Sequence, residues 1–168
     1  MDIKQGKTVI IIMGVSGCGK TTIGKLLSKR LKLPFFDADN FHSQENINKM
    51  KQGVALNDTD RLPWLETLSK ALQKWSETSG VVLACSALKE NYRTILSSKA
   101  YVTWVYLSGS FDLIFSRMQQ REGHFMKADL LKSQFNDLEI PKYGVHIDIS
   151  HPPETIINTI SLKIAVHE

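Results

Sequence analysis

Residues 14–21, Gly14-Val15-Ser16-Gly17-Cys18-Gly19-Lys20-Thr21, place glycines, a lysine and a hydroxyl at the spacing GxxxxGK[ST]. Glycines at these positions let the backbone curl until successive N–H groups point at phosphate oxygens. A helix opening directly behind them adds its partial positive charge. In such a loop Lys20 reaches the β and γ phosphates of a nucleotide, and the Thr21 hydroxyl ligates Mg²⁺. Context supports the match, because Val9 to Met13 is a continuous apolar run and residues 20–31 carry apolar residues at helical spacing. The predicted nucleotide-binding run is Gly14, Val15, Ser16, Gly17, Cys18, Gly19, Lys20, Thr21 and Thr22. For Cys18 two readings stand: a thiol made reactive by its electropositive loop, or a small side chain that fits.

A second cluster that can do chemistry is Asp37-Ala38-Asp39. Beside a phosphate cradle, one carboxylate can orient an acceptor hydroxyl and take its proton while another supports Mg²⁺ through water. Asp39 is assigned the first role and Asp37 the second; two acidic residues capping a turn is the alternative.

These residues need a scaffold that brings them to one edge. Pro34-Phe35-Phe36 reads as a short strand ending at Asp37, and Val81 to Ala84, Val102 to Leu107 and Val145 to Ile149 as further strands. Continuous apolar runs of this length suit strands buried on both faces. Between them lie helical patterns: one beginning near Ser43, one at Pro63 with Leu65, Leu68, Leu72 and Trp75 as its core stripe, one capped by Ser110, and one opened by Pro152-Pro153. Five short strands alternating with helices predict an α/β fold, a parallel sheet with right-handed crossovers and ligands at the carboxyl ends of the strands. Trp64, Trp75 and Trp104 are expected to pack in the core.

The chain has 168 residues, enough for one domain with a substantial core, and a net charge of +4. The positive excess is mild and scattered, without the basic-aromatic interleaving of a nucleic-acid surface. Two cysteines in unrelated contexts form no disulfide framework. No signal-peptide pattern and no apolar stretch of membrane-spanning length is present, so a cytoplasmic protein is expected.

The string DADNFHSQENINKMKQGVALNDTDRLPWL resembles the acceptor-side signature of the gluconokinases. Cys85-Ser86-Ala87-Leu88-Lys89 with Tyr92-Arg93 is similar to that family's CSALK-x-x-YR segment, and Gly123-His124-Phe125-Met126 followed by Leu130, Leu131, Ser133, Gln134 and Phe135 to its lid. Ser43 and Lys127 stand where the family pattern usually has proline, and Ala55 where it often does. The return from Pro141 to the last strand is only about three residues.

The resemblance implies a P-loop three-layer sandwich over residues 1–168, a five-stranded parallel sheet with helices on both faces and a mobile lid near 122–141. It implies ATP and Mg²⁺ as cofactors and D-gluconate as acceptor, phosphorylated at its 6-hydroxyl and so fed into the pentose phosphate route. Nucleic acid and membrane are not expected partners, and analogy with bacterial relatives is compatible with a homodimer. Lys20, Asp39 and Arg121 are the implied catalytic residues. A sugar acid offers a carboxylate, for which Arg61 is the first candidate because a guanidinium binds it through two parallel hydrogen bonds. A salt bridge of Arg61 with Asp58 or Asp60 is the alternative. Asp39, His42, Ser86, Lys89, Arg93, His124 and Gln134 complete the acceptor set; a structural His42 and solvated helix faces for Lys89 and Arg93 are the competing readings. Similarity to the wider group that includes shikimate kinase implies Arg117 beside adenine and Arg121 on the phosphates. Shikimate or a nucleoside monophosphate is the nearest rival acceptor. A guanine-specific switch is disfavoured because Asn48-Lys49-Met50-Lys51 lacks the aspartate of NKxD.

Overall fold

The computed structural model describes residues 6–121 and 128–166. Its strands are β1 (Val9–Met13), β2 (Phe35–Asp37), β3 (Val81–Ala84), β4 (Thr103–Ser108) and β5 (Val145–Asp148). All pair in parallel, in the order β2-β3-β1-β4-β5. The helices are α1 (Lys20–Leu31), α2 (Gln44–Lys51), α3 (Asp58–Glu77), α4 (Glu90–Leu96), α5 (Phe111–Gln119), α6 (Ala128–Asp137) and α7 (Pro153–Val166), with a 3₁₀ turn at Ala38–Phe41.

Side chains alternate across each strand, so β1 feeds two cores. Ile10 and Ile12 pack with Ile23 and Leu27 of α1, Ile114 of α5 and Ile160 of α7. Val9, Ile11 and Met13 pack on the other face with Leu65, Leu68 and Leu72 of α3 and Leu96 of α4. The result is the expected three-layer α/β sandwich. From β1 the chain runs outward to β2 and β3, and from β4 it runs the other way to β5. Such a reversal opens a crevice at the carboxyl ends of the central strands, where residues 14–21 lie. Among the described residues no helix is long and apolar enough to cross a membrane.

Several helix starts follow from local chemistry. The Ser43 and Ser110 hydroxyls accept the backbone N–H of Asn46 and Leu113 and cap α2 and α5. The α3 start differs from the sequence expectation. It begins at Asp58, not Pro63, because Asn57 and Asp60 form a reciprocal capping box. That cap satisfies two orphan donors one turn earlier, and α3 then tolerates Pro63 inside its second turn.

Candidate active site

The loop between β1 and α1 is shaped by glycine. Gly19 caps α1 with φ 102°, a left-handed conformation that disfavours any side chain. At Gly14, φ is 149° and a Cβ would stand 2.7 Å from Cys18 Sγ and 3.0 Å from the Leu107 carbonyl oxygen. This contact also reports where Cys18 points. Its side chain is 2% exposed and belongs to the core under the loop, and burial pushes the thiol pKa up despite nearby Lys20. The reactive-thiol reading of Cys18 is therefore corrected: any part it plays in nucleotide binding is through its backbone. Val15 is likewise buried.

A cleft of about 320 Å³ lies over the loop, lined by Ser16, Gly17, Gly19, Lys20, Thr21, Thr22, Asp37, Asp39, Ala84, Cys85, Ser86 and Arg121. The Gly14 N–H donates to the Ser86 carbonyl at 3.3 Å, tying the loop to the segment after β3. Lys20 Nζ arches over the loop and donates to the Gly14 and Val15 carbonyls, each at 3.0 Å. Thr21 Oγ1 lies 3.4 Å from Asp37 Oδ2, and Asp37 Oδ1 accepts the Asp39 N–H at 2.9 Å. Hard oxygens so spaced suit a magnesium ion that takes one or two protein ligands and completes its shell with water and phosphate. Among the described residues no group of three or more His, Cys, Asp or Glu forms a metal cage.

Asp39 holds its proton more tightly than an ordinary carboxylate. Partial shielding from water in the cleft pushes its pKa up, although the residue keeps an exposed surface; the neighbouring Asp37 charge adds to this, and Lys20 partly opposes it. The balance makes Asp39 a better proton acceptor than a free carboxylate.

Beyond the 3₁₀ turn, His42 stacks on Trp64 at 4.2 Å between ring centres, while Trp64 Nε1 donates to the Ala38 carbonyl at 2.8 Å. Asn46 Nδ2 donates to the Asp60 carbonyl at 2.9 Å and faces His42 Nδ1 at 3.4 Å. That leaves the imidazole proton on Nε2. Burial, then the Arg61 charge, lowers the His42 pKa, so the ring is a neutral donor.

Arg61 and Lys89 come together, as the sequence-level grouping of acceptor residues required. Arg61 Nη1 donates to Tyr92 Oη at 3.1 Å, and Arg61 and Lys89 lie 3.8 and 3.4 Å from Asp58 Oδ1. Both cations also lie over the Tyr92 ring, at 5.6 and 5.7 Å. The Tyr92 hydroxyl donates to Asp58, and that bond is the leading cause of the lowered Asp58 pKa. The pairing with Asp58 foreseen as the alternative for Arg61 is thus present. Asp60 instead pairs with Lys49 at 2.8 Å. Sequence reasoning passed over Asp58 and Tyr92 as site residues, although Tyr92 stands three residues after Lys89, a spacing that puts helical neighbours together.

Arg93 is not an acceptor ligand, which corrects that expectation. It is 1% exposed, and Nη1 donates to the Ala87 and Leu88 carbonyls at 2.7 and 3.2 Å. Nη2 donates to the Glu139 carbonyl at 2.7 Å and Glu90 at 2.8 Å, and Nε to Tyr143 Oη at 2.9 Å and Glu90 at 3.0 Å. Its donors are engaged in holding the segment after β3 to the stretch returning from α6. The Glu139 N–H adds to that junction by donating to the Leu88 carbonyl at 2.8 Å.

Gln134 is also relocated. It bonds the phosphate loop, with Ser16 N–H donating to its Oε1 at 2.7 Å and its Nε2 donating to Ser16 Oγ at 2.9 Å. The two arginines of the lid entry diverge, because α5 ends at Gln119 and Arg121 lies beyond it. Arg121 lines the cleft, whereas the Arg117 charge is felt by Asp148 at the end of β5. The Asp148 carboxyl is held down mainly by the Ser150 backbone N–H, at 2.8 Å. His124, with Gly123, Phe125 and Met126 of the predicted lid signature, lies outside the described residues.

Comparison with known proteins agrees with this geometry. The family model for shikimate kinase matches residues 16–142. A gluconokinase of Arabidopsis thaliana is 45% identical, over 94% of this chain and 92% of its own. The thermosensitive gluconokinase of Escherichia coli K12 is 48% identical over 84% of this chain and 79% of its own. The crystal structure of a gluconokinase from Sinorhizobium meliloti superimposes with a TM-score of 0.87 at 36% identity, covering 96% of this chain and 94% of that one. A phosphate loop, a carboxylate with a raised pKa lining the same cleft and this degree of likeness lead to one assignment: the chain is a kinase and belongs to the gluconokinase family, built on the fold that family shares with shikimate kinase.

Proposed function

We propose that this protein transfers the γ-phosphoryl group of ATP to the 6-hydroxyl of D-gluconate, giving 6-phospho-D-gluconate and ADP. The observation that carries the reading is one cleft lined together by the phosphate loop, Arg121 and Asp39. Two short stretches lead from it to the cationic group: Asp39 to His42, which feels the Arg61 charge, and Ser86 to Lys89.

In this scheme Arg61 and Lys89 receive the gluconate carboxylate, and the neutral His42 Nε2–H donates to a sugar hydroxyl. Asp39 orients the 6-hydroxyl. As the oxygen bonds to the γ-phosphorus, the bond from that phosphorus to the β,γ-bridging oxygen breaks, the proton passes to Asp39 and ADP leaves. Lys20 and Arg121 stabilise the charge spread over the transferred phosphoryl oxygens. Thr21 and Asp37 would hold Mg²⁺, which when bound neutralises the phosphate charge and fixes its geometry. The chemistry requires exclusion of water, the role expected of a lid near residues 122–141.

The reading is tested by measuring ATP consumption with gluconate, shikimate, a nucleoside monophosphate and RNA in parallel. Phosphorus–proton NMR then locates the phosphate on the product. Turnover confined to gluconate, with phosphate on C6, is expected. Preference for another acceptor, or phosphate on another carbon, overturns it.

A further inference from the structure

We propose that Gln134 is a positioning residue that turns the Ser16 hydroxyl into a hydrogen-bond donor for the phosphoryl group being transferred. The inference rests on the cleft being the ATP site and does not depend on the identity of the acceptor.

The argument begins with groups that can play only one role. A backbone N–H can only donate, so the Ser16 N–H at 2.7 Å must meet the oxygen of the Gln134 amide. This fixes the orientation of the amide on chemical grounds. The other end of the amide, Nε2, therefore faces Ser16 Oγ at 2.9 Å, and an amide nitrogen also only donates. Ser16 Oγ must accept. Its own proton cannot point at Gln134 and is left to donate elsewhere. Ser16 is half-buried and lines the cleft together with Lys20, Asp39 and Arg121.

Two consequences follow. The Ser16 N–H is already engaged, so this residue meets nucleotide through its hydroxyl and not through the backbone, unlike the glycines after it. The hydroxyl is also preset before nucleotide arrives. A donor fixed in advance costs no reorganisation as charge develops on the phosphoryl oxygens. Gln134 can hold it because α6 is itself fixed: Leu131 is fully buried, and the Phe135 ring meets Phe111 of α5 at 5.9 Å.

Gln134→Glu separates this role from a merely structural clasp. One carboxylate oxygen still accepts the Ser16 N–H, so the clasp is kept. The other oxygen now accepts where the amide donated, and it draws the hydroxyl proton out of the cleft. Four proteins are compared in the intact chain: wild type, Ser16→Ala, Gln134→Glu and the double variant. Each is assayed for ATP affinity by direct titration, for kcat with gluconate, and for slow ATP hydrolysis without acceptor. Thermal melting checks that each is folded, and Gln134→Ala is a second route that removes the clasp without adding charge.

Ser16→Ala should lower kcat and acceptor-free hydrolysis about tenfold or more, the scale of one preset donor. Gln134→Glu should lower both by at least as much, although its clasp survives, while Gln134→Ala should cost less because the hydroxyl regains rotation. In the Ser16→Ala background, Gln134→Glu should cost little further kcat. Normal kcat in Gln134→Glu, or losses that simply multiply in the double variant, would overturn the inference. Failure of the wild-type protein to bind ATP would instead strike the nucleotide reading beneath it, and the titration separates the two.

Discussion

Removing the Arg93 side chain should unfold the junction between the segment after β3 and the return from α6 before it affects any substrate. Arg93→Ala deletes a guanidinium that is 1% exposed and leaves the Ala87 and Glu139 carbonyls, each now 2.7 Å from it, without that donor. A hydrogen bond from a charged donor contributes about 1.5–3 kcal/mol. Two such bonds set an upper bound near 6 kcal/mol, and water entering the vacated space lowers the expected loss to about 3–5 kcal/mol. In a chain of 168 residues each kcal/mol moves Tm by about 2–4 °C, so the melting point should fall by roughly 6–20 °C. Circular dichroism melts and urea midpoints measure this directly. Arg93→Lys should recover only part of the loss, because one ammonium cannot reach carbonyls on both segments. The reasoning is refuted if Arg93→Ala melts like the wild type and merely raises the KM for gluconate, since that is how an acceptor ligand behaves.

Asp39→Asn should lower kcat by about 10²-fold if proton transfer matters, and it should abolish an acid limb in the wild-type kcat/KM profile that lies above the ordinary carboxylate pKa of 3.8. Because the raised pKa makes ionised Asp39 destabilising in the folded state, the same variant should melt higher at neutral pH, with the advantage vanishing as the pH falls below 3.8; an unchanged profile and melt would count against both statements. Arg61→Ala should raise the gluconate KM by roughly ten- to hundredfold, the worth of one charged hydrogen bond, while leaving the much weaker use of the corresponding uncharged polyol nearly unchanged; equal losses on both would remove Arg61 from the carboxylate. Cys18 and Cys85 should resist alkylation in the folded protein with or without Mg-ATP, since both thiols are buried and Cys85 is pushed up to about 12; rapid labelling that nucleotide prevents would contradict the buried position of Cys18.

What was legible in the sequence was local. The strands β1 and β3 and the centre of β4 read correctly because positions covered on both faces must be apolar, and the phosphate loop because its geometry demands glycine at fixed steps. The capping serines announced α2 and α5 through chemistry confined to four residues. The α3 start was misread because Pro63 gives a stronger single-residue signal than the Asn57–Asp60 exchange that decides it. The site residues were harder for a different reason. A charged side chain in a sequence invites two readings, solvent or ligand, and Arg93 takes neither. Its burial depends on carbonyls contributed by Ala87 and by Glu139, which come together only in the folded chain. Gln134 stands 118 residues from Ser16, and nothing within either neighbourhood foretells the contact. Tyr92 and Asp58, 34 residues apart, complete the setting of Arg61 and Lys89 in the same way. Sequence patterns therefore identify the loop of the P-loop motif, because its residues share one short stretch. The groups that tie distant segments together are selected by the fold, and in this chain those are Gln134 at the loop, Arg93 at the junction after β3 and Tyr92 beside Arg61 and Lys89. Each presents its polar atoms to a partner on a different element, so variants there should test the tertiary arrangement more sharply than variants within the phosphate loop.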